Sequence, residues 1–253
     1  MLGDILEKLG RRISMLGYLL GNPRYAKVRR NGGDRDLFRL LDKPWLQRQN
    51  IRTVLDVGAN EGQFIKAARA LFPAASIFAF EPNPGLTQPL QDLLSAGSAN
   101  AVFQIACGRE PKIMPLHLAT FSPATSLLSP TSLQVPEFPA VETEQTIDVK
   151  VERLDHVVEQ HGSARKPYLL KIDVQGFELE VLDGAVRILP DVAAIVCEVN
   201  TALFYEGQAS FEGISAFMRQ HNFKLVDIGE PIRARETAEV LYFDVAFLNS
   251  DHG

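Results

Sequence analysis

Short apolar runs alternate along the chain with longer segments in which apolar residues recur at helical spacing. This alternation predicts an α/β fold, a doubly wound and mostly parallel sheet with helices on both faces. Strands are expected over residues 53–57, 76–80, 101–106, 168–173, 193–199, 224–228 and 240–248. Helices are expected over residues 62–71, 84–95, 177–188 and 211–220. Little separates the last two strands except a turn near Gly229, which favours an antiparallel pair at the sheet edge.

Two segments depart from this alternation and define the expected domain organisation. Residues 1–48 predict a helical N-terminal extension, whose amphipathic spacing favours packing on the domain or a homodimer. Residues 49–253 form the main domain, and within it residues 109–150 combine a hairpin pattern with a loop rich in Pro and Ser. A long loop inside a compact domain is typical of a lid, although a connector is the alternative. The apolar run over residues 13–20 is too short to span a bilayer, so no stable membrane insertion is expected.

Composition narrows the class of protein. The length of 253 residues and the 46% hydrophobic content suit one large α/β domain. A formal net charge of −5 argues against a nucleic-acid partner, because such proteins normally carry a basic surface. The two cysteines, Cys107 and Cys197, lie in apolar runs, which predicts buried free thiols and a cytoplasmic location.

The stretch from residue 53 to residue 62 is the most informative part of the chain. An apolar strand ends at a small-residue turn with Gly58 and Gly62, and an amphipathic helix follows. The next strand ends at Glu81, where an acid can accept both hydroxyls of a ribose. Asp56 beside the turn, and Asn60 in place of a second glycine, disfavour a pyrophosphate and hence a NAD-type oxidoreductase. A carboxylate there suits an ammonium group, as in S-adenosylmethionine (AdoMet).

Five ordered segments resemble the FkbM family of AdoMet-dependent methyltransferases. They are Asp-Val-Gly-Ala-Asn-Glu-Gly (56–62), Phe-Glu-Pro-Asn (80–83), Val-Glu-Arg-Leu-Asp (151–155), Leu-Lys-Ile-Asp-Val-Gln-Gly-Phe-Glu (170–178) and Val-Leu-Asp-Gly-Ala (181–185). The resemblance implies a class I methyltransferase fold, a Rossmann-like sheet of seven strands whose last strand is antiparallel. It also implies methylation of a hydroxyl on a sugar, glycan or secondary metabolite. Gln175 stands where the family usually has Glu, which puts a carboxylate role such as metal ligation in doubt.

The expected cofactor site follows the order of the strands. Asp56 and the turn should hold the methionine end of AdoMet, Glu81 the ribose, and the end of the third strand the adenine. The candidate cofactor-binding residues are Asp56, Gly58, Asn60, Gly62, Glu81, Pro82, Asn83, Ala106 and Cys107.

The candidate catalytic residues are Asp173, Glu198 and Lys171. Asp173 ends a central apolar strand, and two roles stay open for it: general base for a hydroxyl, or ligand of Mg²⁺. Glu198 could serve either role, and Asn200 would complete an oxygen-ligand set of Asp173, Glu198 and Asn200. Lys171 is expected to be buried and paired, with Glu198 or Glu178 as its partner.

Three further residues could contribute to the site or to local structure. His117 is a candidate for substrate contact, Ser126 for lining the pocket, and Asp155 for capping a helix. The leading hypothesis is AdoMet-dependent O-methylation. The alternatives are N-methylation of a small molecule and a non-catalytic AdoMet-binding protein.

Overall fold

The computed structural model describes residues 17, 21–95, 99–132 and 143–252. Residues 1–16 and 18–20 of the predicted N-terminal extension lie outside this range, as do residues 133–142 of the loop rich in Pro and Ser. Within the described ranges, no helix has both the length and the apolar character needed to cross a membrane.

The strands are β1 (Thr53–Val57), β2 (Ser76–Phe80), β3 (Ala101–Phe103), β4 (Ala106–Cys107), β5 (Lys112–Ala119), β6 (Thr143–Glu152), β7 (Tyr168–Ile172), β8 (Val192–Asn200), β9 (Phe223–Ile228), β10 (Ile232–Arg233) and β11 (Val240–Asn249). The α-helices are α1 (Pro23–Arg30), α2 (Arg35–Leu41), α3 (Pro44–Gln47), α4 (Gln63–Leu71), α5 (Pro84–Leu94), α6 (Leu154–His161), α7 (Glu178–Asp183) and α8 (Phe211–Gln220). Short 3₁₀ turns occupy Ser122–Ala124, Val186–Asp191 and Ser250–His252.

The main sheet has the strand order β10-β11-β8-β7-β1-β2-β3, and β9 pairs with the same edge of β11 as β10. Strands β3, β2, β1, β7 and β8 are parallel, whereas β11 runs antiparallel to both β8 and β9. The predicted α/β class and the antiparallel final pair are therefore confirmed. The prediction lacked the short β10, which makes the sheet eight-stranded.

Side-chain alternation along the strands sorts the core into two layers. Leu55 and Leu170 pack in the layer that includes residues of α6, α7 and α8. Val54 and Leu169 pack in the opposite layer, which includes residues of α1, α2, α4 and α5. Since Asp56 and Lys171 follow these positions by two residues and lie opposite each other in the β1–β7 register, their side chains project into this second layer.

A second sheet, in the order β4-β6-β5, lies beside the first. The expected strand over residues 101–106 is wrong in this respect: β3 ends at Phe103, and Ala106–Cys107 pairs with β6 instead. Strands β5 and β6 form an antiparallel hairpin, and Leu116, Val151 and Phe177 belong to the small apolar cluster beneath it. This packing holds the chain after β5 close to the end of β7.

Two local predictions are wrong in detail. The helix expected over residues 177–188 ends at Asp183, and the chain continues through Gly184 into the 3₁₀ turn Val186–Asp191. Asp155 is not a helix cap, because α6 begins at Leu154 with Arg153 at its N-cap position. The buried carboxylate of Asp155 instead accepts hydrogen bonds from the guanidinium groups of Arg153 and Arg187.

Candidate active site

A cavity opens where the carboxyl ends of β1, β2 and β7 meet. It is lined by these predicted site residues: Gly58, Asn60, Glu81, Pro82, Asn83, Ala106, Cys107 and Asp173. Ser126 lines it as well, from the chain that follows β5. Five other candidates are not among the described lining residues: Asp56, Gly62, Lys171, Glu198 and Asn200. The candidate residues therefore fall into two groups: those that line the described cavity and those that do not.

The glycine turn is fixed by a close approach of two backbone segments. Gly58 has a φ of +78°, and a Cβ there would lie 1.8 Å from the carbonyl oxygen of Asp173, so only glycine fits. The N–H groups of Gly58 and Ala59 donate to the carbonyl oxygen of Phe80 at 3.0 and 3.2 Å. These two N–H groups therefore tie the turn to the end of β2. Gly62 serves instead as the left-handed N-cap residue of α4.

Glu81 is a buried carboxylate held by backbone donors. Its Oε2 accepts from the N–H of Asn60 at 2.8 Å, and its Oε1 accepts from the N–H of Asn83 at 2.9 Å. Burial raises the pKa of Glu81, while these two hydrogen bonds oppose the rise. Each oxygen keeps a lone pair for another donor, so the carboxylate presents two fixed acceptors to a vicinal diol.

Lys171 connects the glycine turn to Asp173. Its Nζ donates to the carbonyl oxygen of Gly58 at 2.8 Å and lies 3.3 Å from Asp56 Oδ1 and 3.4 Å from Asp173 Oδ2. The expected partners Glu198 and Glu178 are wrong, because the β1–β7 register places Asp56 directly opposite Lys171. Burial would lower the pKa of Lys171, but the carboxylates of Asp173 and Asp56 raise it overall. Lys171 therefore stays cationic.

Asp56 lies on the far side of this cation from the cavity. It is completely buried, and burial raises its pKa to about 6 despite the opposing charge of Lys171. Asp56 thus contacts the ammonium group of Lys171 and does not line the described cavity.

Gln175 joins the two predicted carboxylates. Its Nε2 donates to Asp173 Oδ1 at 2.9 Å and to Glu198 Oε1 at 2.7 Å. Its Oε1 accepts from the hydroxyl of Tyr205 at 3.1 Å. Asp173 and Glu198 are therefore linked to each other through the amide of Gln175, a residue noted in the sequence only as a departure from the family pattern.

Further carboxylates lie near this pair. Asp244 on β11 is opposite Glu198 on β8, and burial together with the charge of Asp173 raises the pKa of Asp244 to about 8. Burial and the neighbouring charges of Asp173 and Asp244 also raise the pKa of Glu198 well above its usual range. Glu178 accepts from the N–H of Gly176 at 2.9 Å, and burial raises its pKa to about 7. This environment disfavours full ionisation of the cluster.

The sequence analysis missed Asp244 and Tyr205. Asp244 had a usable signal, because it is a charged residue inside an apolar predicted strand. Tyr205 lies in a loop, and no sequence pattern there predicts its contact with Gln175.

The predicted Mg²⁺ ligand set does not fit the donor chemistry of this site. The space shared by Asp173 and Glu198 is taken by an amide NH₂, which is a donor and cannot ligate a cation. Asn200 is buried, and its Nδ2 has no hydrogen-bond partner in the described part of the chain. Residues 21–95, 99–132 and 143–252 contain no cluster of three His, Cys, Asp or Glu side chains able to hold a metal ion.

The chain after β5 closes over the cavity through three contacts. The Ser122 hydroxyl donates to Asn60 Oδ1 at 2.6 Å, and the Ser126 hydroxyl donates to the carbonyl oxygen of Gln175 at 2.8 Å. The hydroxyl of Tyr205 lies 3.0 Å from the carbonyl oxygen of Ala124. His117 is not among the described lining residues, and its Nδ1 lies 3.3 Å from the Thr146 hydroxyl instead.

The family profile described as the Methyltransferase FkbM domain matches residues 56–225. The chain belongs to this family. The matched range includes Glu81, Asp173, Gln175 and Glu198. The resemblance inferred from the sequence motifs is confirmed.

Two curated proteins are similar in sequence to this chain. The hexuronic acid methyltransferase AglP of Haloferax volcanii is 30% identical over 179 residues, which cover 70% of this chain and 66% of AglP. The 2-O-methyltransferase NoeI of Sinorhizobium fredii is 25% identical over 187 residues, which cover 71% of this chain and 74% of NoeI.

The solved structure of methyltransferase FkbM from Methylobacillus flagellatus KT has the same fold, with a TM-score of 0.52 at 12% identity. The match covers 92% of this chain and 60% of that structure. The predicted class I methyltransferase fold is thereby confirmed. The matched segments span slightly less than two thirds of AglP and of the M. flagellatus protein.

Proposed function

We propose that this FkbM-family chain is an AdoMet-dependent O-methyltransferase that acts on a hydroxyl of a sugar, glycan or secondary metabolite. One observation carries the proposal: an acceptor for a ribose, Glu81, and a candidate general base, Asp173, line the same cavity. The names of AglP, a hexuronic acid methyltransferase, and NoeI, a 2-O-methyltransferase, support this class of acceptor.

The residues along one wall of the cavity suit the cofactor. Glu81 would accept both ribose hydroxyls, and the Pro82–Asn83 turn would shape the wall beside them. Ala106 and Cys107 would contact the adenine, and Gly58 and Asn60 would lie against the methionine end. We assign Asp56 and Gly62 an indirect role: Asp56 acts through Lys171, and Gly62 through the start of α4.

Asp173 is the proposed general base. AdoMet, when bound, supplies a methyl group that is already activated on a sulfonium. Asp173 lies at the cavity with Oδ1 hydrogen-bonded to Gln175 and Oδ2 near Lys171, so its orientation is fixed. Its carboxylate would take the proton of the acceptor hydroxyl as the oxygen forms its bond to the methyl carbon and the sulfur–methyl bond breaks. Lys171 would keep the carboxylate in place and would not contact the acceptor.

Three further proposals concern the location of the protein, the class of its acceptor and its oligomeric state. We propose a cytoplasmic location because Cys107 and Cys197 are both buried free thiols, whose pKa values are raised by burial. We propose that nucleic acid is not the acceptor because the net charge is −5. A homodimer stays a prediction from the N-terminal sequence.

The first test is a calorimetric titration with S-adenosylhomocysteine. We expect saturable binding by the native chain and binding at least roughly tenfold weaker for Glu81→Ala, because hydrogen bonds to a charged group contribute about 1.5–3 kcal/mol each. Glu61→Ala is the matched control, since it removes an exposed acid from the same turn. Glu81→Gln separates the loss of charge from the loss of contacts to the N–H groups of Asn60 and Asn83.

The outcomes separate the hypotheses. No binding by folded native protein would contradict the cofactor assignment. Binding followed by methyl transfer to hydroxyl acceptors that Asp173→Asn abolishes would support O-methylation. Transfer to amines that survives Asp173→Asn would favour N-methylation instead, because an amine needs no strong base.

A further inference from the structure

We propose that Gln175 is a positioning residue that holds Asp173 and Glu198 together by hydrogen bonds and so takes the place of a bridging cation. The catalytic meaning of this role rests on the proposed function, whereas the geometry stands independently of it. The consequence is a methyl transfer that needs no divalent metal, carried out at a cluster of carboxylates.

Every polar group of the Gln175 side chain is used. The two hydrogens of Nε2 go to two different carboxylates, at 2.9 Å for Asp173 and 2.7 Å for Glu198. Its carbonyl oxygen Oε1 accepts from Tyr205. Hydrogen bonds to ionised acceptors are among the stronger ones in proteins, and a donor shared by two carboxylates offsets their mutual repulsion.

The surroundings determine which way the amide points. Ionised carboxylates only accept hydrogen bonds, whereas the Tyr205 hydroxyl can either donate or accept. An amide turned by 180° would direct Oε1 at both carboxylates and leave three acceptors facing one another. The orientation with Nε2 between Asp173 and Glu198 is therefore the one favoured while both carboxyl groups are ionised.

The backbone of Gln175 is held in the conformation that this contact needs. Its φ is +56°, in the left-handed region, which is uncommon for a residue other than glycine. The Ser126 hydroxyl donates to its carbonyl oxygen, and Gly176 follows with a φ of +100°. A tight turn directly after β7 thus places the residue two positions beyond Asp173 over both carboxylates.

The substitution Gln175→Glu would replace the hydrogen-bond donor between the two carboxylates by an acceptor, with almost no change in side-chain shape. It would place a third carboxylate within hydrogen-bonding distance of Asp173 and Glu198, with no donor between them. An oxygen-only set of this kind suits Mg²⁺ or Mn²⁺. We therefore expect the variant to gain a divalent-cation site that the native chain lacks.

The experiment compares cation binding with turnover. Calorimetric titration with MnCl₂ alone should give one saturable site per chain for Gln175→Glu and no saturable heat for the native protein. Gln220→Glu, which makes the same charge change at the exposed end of α8, is the control and should behave as the native protein does. This measurement needs no acceptor, so it is interpretable even if methyl transfer is never found.

Kinetics then test the positioning role. Native turnover should be unchanged by EDTA, and Gln175→Ala should lower kcat about tenfold or more while KM and the affinity for S-adenosylhomocysteine change little. Gln175→Glu should be inactive in EDTA and regain turnover with Mn²⁺. Unfolding curves of Gln175→Ala and Gln175→Glu show whether each variant is folded. If one of them does not fold, the other still tests the proposal.

Three results would overturn the proposal: native turnover that falls in EDTA, an unchanged kcat in Gln175→Ala, or no cation binding by folded Gln175→Glu. Loss of S-adenosylhomocysteine binding by the native chain would contradict the proposed function instead, so the two failures are distinguishable.

Discussion

The two sides of the cavity are built in different ways. On the cofactor side, the Glu81 carboxylate is held by the N–H groups of Asn60 and Asn83, all within or beside consecutive strands. On the acceptor side, Asp173 and Glu198 are held by the side chain of Gln175. A site held by backbone groups tolerates substitution of its neighbours, whereas a site held by side chains depends on each of them.

Asp173→Asn should produce the largest effect and acts on the acceptor side alone. A neutral amide cannot take the proton of a hydroxyl, so we expect kcat to fall by about 10²–10⁴-fold. The affinity for S-adenosylhomocysteine should stay close to that of the native chain, because the contacts of Glu81 are unaltered. Single-turnover rates measured beside calorimetric titration would test this. Equal losses in the rate and in the affinity for S-adenosylhomocysteine would show that Asp173 also contributes to cofactor binding, which would contradict the separation of the two sides.

Glu178→Gln tests a carboxylate of the acceptor side that is held by backbone groups. Burial raises the pKa of Glu178 from 4.5 to about 7. The folded chain thus binds this proton more tightly than the unfolded chain does. Its contribution to stability is complete below about pH 4.5 and is lost as the pH rises through about 7.

The glutamine variant stays neutral throughout this range and still accepts from the N–H of Gly176. Relative to the native chain, it should gain on the order of 2–3 kcal/mol of unfolding free energy between pH 5 and pH 8. Urea unfolding at the two pH values measures this gain. Glu212→Gln, an exposed acid in the first turn of α8, is the control, and an equal gain there would exclude burial as the cause.

Tyr205→Phe should have a moderate effect on the acceptor side. It removes the hydroxyl that donates to Gln175 Oε1, so the amide is oriented less firmly. We expect kcat to fall by about threefold to tenfold, in line with the loss of one hydrogen bond of about 0.5–1.5 kcal/mol. The affinity for S-adenosylhomocysteine should not change. Tyr168→Phe, at the opposite end of β7, is the matched control, and an equal loss of kcat there would count against the network.

Ser122→Ala should have the smallest effect, and it acts between the two sides. The variant loses the hydrogen bond from the chain after β5 to the Asn60 side chain. We expect the affinity for S-adenosylhomocysteine to change by about threefold or less, since one neutral hydrogen bond contributes about 1 kcal/mol. Calorimetry against Ser129→Ala, an exposed serine of the same loop, gives the comparison. A change above tenfold would show that this contact controls access.

The sequence predicted the residues at the strand ends better than the contacts between distant segments, for a physical reason. Buried parallel strands produce apolar runs, and the residues that end these runs reach one edge of the sheet, which located Glu81 and Asp173. The partner of Lys171 was predicted wrongly because the β1–β7 register, which places Asp56 beside it, is a pairing between distant segments.

The same reason explains the other errors. The third strand was expected to continue to residue 106, but β4 pairs with β6 in the second sheet, and no local pattern signals that change of partner. The contact of Tyr205 with Gln175 joins loops 30 residues apart, so neither residue identity nor spacing points to it.

The close approach of Gly58 to the carbonyl oxygen of Asp173 restricts how this chain could change over evolution. Since no side chain fits at Gly58, the glycine turn and the end of β7 are tied to each other, and a drift in one demands a matching drift in the other. The loops around Ser122 and Tyr205 are joined to this pair by a few hydrogen bonds only. New acceptors would therefore be accommodated most readily by changes in those loops, with the glycine turn and the strand end kept as they are.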